Sequence, residues 1–152
     1  MLLSELLTAD RVRIPLGGRT KDDLLRELVG LATAGEAPAV TASVLAAVRE
    51  REGILSTGIG DGVAVPHGKT AALGELRMAA GAVSLPVDFD ALDGAPVHLF
   101  FLLVGPESAA GGHVRALSRI ARLLRKDSLR ARLRAARSVD EFLQAIRESE
   151  DL

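Results

Sequence analysis

The residues best able to do chemistry in this 152-residue chain lie in one run, STGIGDGVAVPHGK, from Ser56 to Lys69. Its three alternate glycines, Gly58, Gly60 and Gly62, let the backbone bend tightly and expose N–H groups. Val63-Ala64-Val65 then reads as a short buried strand ended by Pro66, whose fixed φ holds the next residue at the edge of a sheet. His67 follows at once, with Gly68 after it leaving open space beside the ring. Imidazole titrates near neutrality, so a usable fraction is an uncharged nucleophile at cellular pH. A histidine so placed suits a nucleophile that another protein must reach, and its phosphoramidate is reactive enough to pass a phosphoryl group onward. The competing reading is a histidine that merely finishes a strand.

Two nucleotide-binding patterns come close and fail. Gly58-x-Gly60-x-Gly62 resembles part of a dinucleotide loop, but it runs into a strand where that motif opens a helix. Gly62 to Thr70 resembles a phosphate-binding loop, yet five residues separate its glycines where four are required, and Pro66 interrupts it.

The run from Ser56 to Lys69 resembles the active-site signature of the fructose/mannitol class of enzyme IIA domains of the bacterial phosphotransferase system, and especially the nitrogen-type regulatory members. The resemblance extends over essentially the whole chain. Arg51-Glu52 lies before the glycine loop, Pro96–Pro106 matches the central strand, and Gly112-His113 opens a helix reading HVRALSRIARLLR. It implies that His67 is the phosphorylated residue, loaded on Nε2 by phospho-HPr or its nitrogen-branch counterpart. It also implies histidine and arginine partners at the positions of His113 and Arg51.

The residues themselves support these two partners. Positions 113, 116, 117, 120 and 124 form one helical stripe, so His113 is expected on the core-facing side, in the helix's first turn. A helix N-terminus attracts anions and disfavours imidazolium, which suits a neutral His113 donating one hydrogen bond to a phosphoryl oxygen. Arg51 ends a stripe running through Val44 and Val48, where a guanidinium is able to hold a phosphoryl group by paired bonds or to satisfy the helix C-terminus. Arg49 points elsewhere and is the weaker choice. Ser56 and Thr57 either donate hydroxyls to the phosphoryl group or stabilise the turn. Asp61 reads as turn chemistry and His98 as structural.

These side chains need a scaffold. A short helix or helical turn over 2–7 and a strand around Val12–Ile14 come first. A helix from about 21 to 34 follows, with Thr20 as its cap. A second helix, after Pro38, is expected to be capped by Thr41. Met78–Leu85 and Val97–Val104 read as strands joined by a turn-rich segment, Pro86–Pro96, and the latter is apolar enough to be covered on both faces. The remainder reads as three helices, at about 112–125, 128–135 and 138–147. The fold class expected is a single-domain α/β sandwich over residues 1–152, a small mixed sheet flanked by helices.

Composition narrows the remaining options. There is no cysteine, which excludes disulfides and thiolate chemistry, and three scattered histidines do not suggest a metal site. No cofactor is implied. The N-terminal residues lack a signal-peptide pattern and no apolar run is long enough to span a bilayer, so a cytoplasmic location without membrane insertion is expected. Net charge is −1, yet nine basic residues and one acid fall between Arg115 and Arg137, followed by five acids and one arginine from Ser138 onward. That asymmetry marks either a docking surface for an acidic partner or a set of solvated helix faces. With four Phe and no Trp or Tyr, nucleic acid is not an expected partner. Regulation through the phosphorylation state is favoured. The alternatives are relay to a IIB domain of a sugar transporter and an interaction module that is never phosphorylated.

Overall fold

The computed structural model describes residues 2–151. The elements in chain order are α1 (Leu3–Leu6), β1 (Val12–Leu16), α2 (Lys21–Ala32), α3 (Pro38–Ile54), β2 (Gly58–Gly60), β3 (Val63–Ala64), β4 (His67–Lys69), β5 (Arg77–Val87) and β6 (Val97–Gly105). α4 (Ala110–Leu123), α5 (Asp127–Ala135) and α6 (Val139–Glu150) complete the chain, with 3₁₀ turns at Ala9–Arg11 and Glu107–Ala109.

The six strands form one mixed sheet in the order β1-β5-β6-β3-β2, with β4 also pairing with β6. β5 and β6 are antiparallel, whereas β3 and β4 both run parallel to β6. β6 explains the architecture. Its side chains alternate between two cores, as a strand's two-residue period requires. From Leu99 onward, Phe100, Leu102 and Val104 pack with Leu24 and Leu28 of α2 and with Val44 and Val48 of α3. Leu99, Phe101 and Leu103 pack with Ala116 and Ile120 of α4, Leu133 of α5 and Phe142 of α6. The sheet therefore lies between two helical layers, the α/β sandwich expected from the sequence.

Local signals act largely as read. The Thr20 hydroxyl accepts the Asp23 N–H at 3.1 Å and starts α2, and Ser138 does the same for the Glu141 N–H at 3.1 Å to start α6. Two expectations are corrected. α3 begins at Pro38, which takes the first helical position where its missing N–H is no loss, and Thr41 lies inside the helix with its hydroxyl 2.9 Å from that of Thr33. β5 runs through Pro86 to Val87 with a register slip after Ala82, so the turn before β6 is shorter than expected. A tie between distant parts of the chain had no signal in the sequence. The Glu150 carboxylate, 1% exposed, accepts the Leu3 and Ser4 N–H groups at 2.7 and 3.0 Å, with Arg119 at 3.8 Å.

Candidate functional site

His67 opens β4 rather than following a finished strand. Pro66 interrupts a single path along β6: Val63 pairs with Leu99, His67 pairs with Leu103, and the Pro66 carbonyl between them still accepts the Leu103 N–H at 3.0 Å. Partners in register share a face of the sheet. His67 thus lies on the side of Leu103, toward the α4 layer, while Gly68 faces α3.

That placement corrects the reason for Gly68. A Cβ there would stand 3.0 Å from the Val48 nitrogen and 3.1 Å from the Ala47 carbonyl carbon, both backbone atoms of α3. The glycine lets helix and strand approach, rather than clearing space beside the ring. In the preceding loop, Gly60 and Gly62 adopt φ of 98° and 76°, and Asp61 between them 57°. The loop's Gly58 and Asp61 N–H groups donate to Ser56 Oγ and to Asp93, so those two do not serve as a phosphate cradle.

The His67 ring is partly buried, with Nδ1 2.9 Å from the Val65 carbonyl oxygen. A carbonyl only accepts, so Nδ1 carries the proton and Nε2 keeps its lone pair. Two hollows meet at this residue. One, of about 370 Å³, is lined by Ala47, Glu50, Arg51, Ile54, Gly68 and Lys69. The other, of about 320 Å³, includes Arg51, Leu55, Ile59, Leu92 and Leu117. Arg51 borders both, and its Nη1 also donates to the Leu55 carbonyl at 2.9 Å, so it satisfies the end of α3 while facing the hollows. Arg49 is occupied elsewhere: its fork holds the Asp22 carboxylate through two bonds of 2.8 Å, clamping α3 to α2.

His113 is 2% exposed, and neither ring nitrogen has a hydrogen-bond partner. The Gly105 carbonyl lies near enough to favour the charged ring without meeting hydrogen-bond geometry. Burial nonetheless holds its pKa below the ordinary imidazole value, and the neighbouring Lys69 and His67 push the same way. His113 lies in the first turn of α4, as the helical stripe predicts, and burial is the largest cause of its neutrality. His98, at the start of β6, is also held low, by burial and then by Arg134.

Ser56 and Thr57 have their hydroxyls engaged. Ser56 Oγ donates to the Phe89 carbonyl at 2.8 Å, and Thr57 Oγ1 donates to Glu52 at 2.5 Å while its N–H donates to the same carboxylate at 2.8 Å. This favours the turn-stabilising reading over direct phosphoryl binding for both. Glu52 was missed by sequence reasoning. It continues the Val44–Val48 stripe by one more step of four, and that spacing, rather than the step of three to Arg51, was the available signal.

The fold is a mixed sheet between two helical layers, and the start of β4 presents a histidine whose Nδ1 is held by a backbone carbonyl. Residues 5–149 match the family model for the phosphoenolpyruvate-dependent sugar phosphotransferase system, EIIA 2, and the chain belongs to that family. Over 150 residues it is 37% identical to the nitrogen regulatory protein of Bradyrhizobium diazoefficiens, covering 96% of this chain and 95% of that one. It is 34% identical over 146 residues to the fructose-specific EIIABC component of Bacillus subtilis, covering 96% of this chain but 23% of that much longer protein. The crystal structure of the nitrogen regulatory protein IIA-Ntr from Neisseria meningitidis superposes with a TM-score of 0.86 at 32% identity, over 95% of this chain and 98% of the other. The mannitol IIA of Escherichia coli shares the fold, with a TM-score of 0.76 at 21% identity over 91% and 97%.

Proposed function

We propose that His67 accepts a phosphoryl group on Nε2 from a phosphohistidine carrier of the HPr kind, and that the resulting phosphorylation state regulates partner proteins. The observation that carries this reading is the bond from His67 Nδ1 to the Val65 carbonyl, which leaves Nε2 as the nucleophile. In the transfer, the Nε2 lone pair attacks phosphorus in line, the nitrogen–phosphorus bond of the donor breaks, and the donor imidazole leaves with the electron pair. The acceptor ring gains positive charge as the new bond forms, and the Val65 carbonyl stabilises it through the proton retained on Nδ1. Such a step requires positioning and charge stabilisation more than proton transfer. Arg51, bordering both hollows, holds the phosphoryl oxygens, and the uncharged His113 supplies a ring N–H without adding a second positive charge beside the acceptor.

The donor docks over the apolar rim of the site, where Ile54 and Leu92 are 76% and 64% exposed beside Leu55 and Ile59. Among the described residues no helix is long and apolar enough to cross a membrane. Regulation is favoured because the nitrogen regulatory relative is matched over nearly its whole length. The similarity to a fructose-specific component supports a second reading, relay of the phosphoryl group to a IIB domain.

The test is phosphotransfer from phosphoenolpyruvate through enzyme I and either HPr or its nitrogen-branch counterpart, with intact mass read under alkaline conditions that spare phosphohistidine. One phosphoryl group gained by the wild type and none by His67→Ala is the expected result. No gain from either donor by the folded wild type overturns the proposal in favour of an unphosphorylated interaction module.

A further inference from the structure

The transfer just described gives Glu52 no part, yet this buried carboxylate is bound from several sides. Oε1 and Oε2 accept the Thr57 hydroxyl and N–H at 2.5 and 2.8 Å, and Lys21 Nζ lies 3.0 Å from Oε2. The Lys21 ammonium stands 4.8 Å from the centre of the Phe89 ring, and the Phe89 carbonyl in turn accepts the Ser56 hydroxyl at 2.8 Å. Burying a carboxylate is costly unless it is paired and hydrogen-bonded, and both conditions are met here.

The connections continue to the nucleophile. The Thr57 carbonyl accepts the Val65 N–H at 2.9 Å, and the Val65 carbonyl accepts His67 Nδ1–H at 2.9 Å. Each link crosses one residue, so the path works by holding backbone orientation. A turn of Thr57 swings the carbonyl that anchors Val65, and a shift of Val65 re-aims the carbonyl that selects the His67 tautomer. The tie is needed because Ser56–Gly62 is glycine-rich and has few side chains of its own to hold it.

We infer that Glu52, held by Lys21, is a positioning residue for His67: by fixing Thr57 and through it Val65, it keeps the proton on Nδ1 and the lone pair on Nε2. The consequence for phosphoryl transfer rests on the acceptor role proposed for His67. The link itself is independent of that role and is measurable in the unphosphorylated protein.

The experiment reads the ring ¹⁵N shifts of His67 by long-range ¹H–¹⁵N correlation, well above neutral pH, in wild type, Glu52→Gln, Thr57→Val and Thr57→Ser. Wild type should show widely separated shifts with Nδ1 protonated. Glu52→Gln and the nearly isosteric Thr57→Val should draw the two shifts together as the other tautomer becomes populated, whereas Thr57→Ser, which keeps the hydroxyl, should match wild type. Phosphoryl uptake by the first two should fall about tenfold, the lower end of what loss of an outer partner does at ligand histidines. Unchanged ring shifts in folded Thr57→Val and Glu52→Gln overturn the inference; if Glu52→Gln fails to fold, Thr57→Val decides alone. Shifts that move as stated uphold the link even if no protein, wild type included, takes up a phosphoryl group, and that result would sink the acceptor reading by itself.

Discussion

At the scale of single residues, the site turns on what each imidazole is allowed to hydrogen-bond. His67 has one nitrogen engaged by Val65, while His113 has neither engaged and is enclosed. The second situation has a measurable consequence. Unfolded, His113 takes up a proton near pH 6.5, but in the folded protein burial holds it uncharged to lower pH, with Lys69 and His67 adding to the effect. Below about pH 6.5 the unfolded chain therefore binds more protons than the native one, and stability falls as pH is lowered through that window. His98, shifted in the same direction by burial and Arg134, contributes to the same loss. His113→Gln should make the urea midpoint less sensitive to pH between about 7.5 and 5.5, the range bracketing the imidazole transition. An unchanged slope would mean that the ring is not protected as described. His67, His113 and Arg51 were legible in the sequence because their types carry chemistry and their spacing places them. The Val65 carbonyl was not, since a backbone acceptor has no residue type, and Glu52 was passed over because a glutamate near a helix end ordinarily faces water.

Among the elements, β6 was legible for a related reason: a strand apolar at nearly every position has to be covered on both faces, and it is. What could not be read was the division of Val63–Lys69 into two strands around Pro66, because pairing partners decide where a short strand resumes. Pro38 and Thr41 are two adequate helix starts, and the first prevails because proline's missing N–H is no loss at the first helical position. The contact between β4 and α3 provides a direct test of this layer. Gly68→Ala pushes a methyl group against the backbone of α3, and should destabilise the fold by about 1–3 kcal/mol, as overpacking typically does. A lower urea midpoint with unchanged slope is the expected result. Gly74→Ala serves as the comparison, because a Cβ there meets nothing within 4 Å. Equal behaviour of the two variants would show that α3 gives way freely.

Over the whole molecule, the basic stretch from Arg115 to Arg137 and the acidic stretch after it are in part each other's partners. Arg119 reaches Glu150 at 3.8 Å and Arg132 reaches Glu148 at 2.7 Å, so some of the asymmetry along the chain is cancelled by the fold, although exposed pairs such as the second contribute little stability. Glu150 carries more weight, because it is enclosed and its oxygens satisfy two backbone donors of α1. Glu150→Ala leaves those donors without partners and should cost about 1–3 kcal/mol, the usual penalty for unsatisfied groups. Faster hydrogen exchange at the Leu3 and Ser4 amides should accompany the loss, and unaltered exchange would argue that α1 is held by its apolar contacts alone.

The Glu150 tie also means that residues 147 positions apart in sequence sit a single hydrogen bond from one another. A polypeptide arranged in this way is nearly a ring, and a ring has no preferred place to be cut. Splicing the segment after α6 to the segment before α1 through a few glycines, and opening the chain instead at the exposed Gly35 between α2 and α3, would produce a circular permutant with every strand neighbour preserved. In that rearranged order α3, the glycine loop and His67 would be synthesised first, followed by β5 and β6, with α2 and the edge strand β1 completing the sheet last.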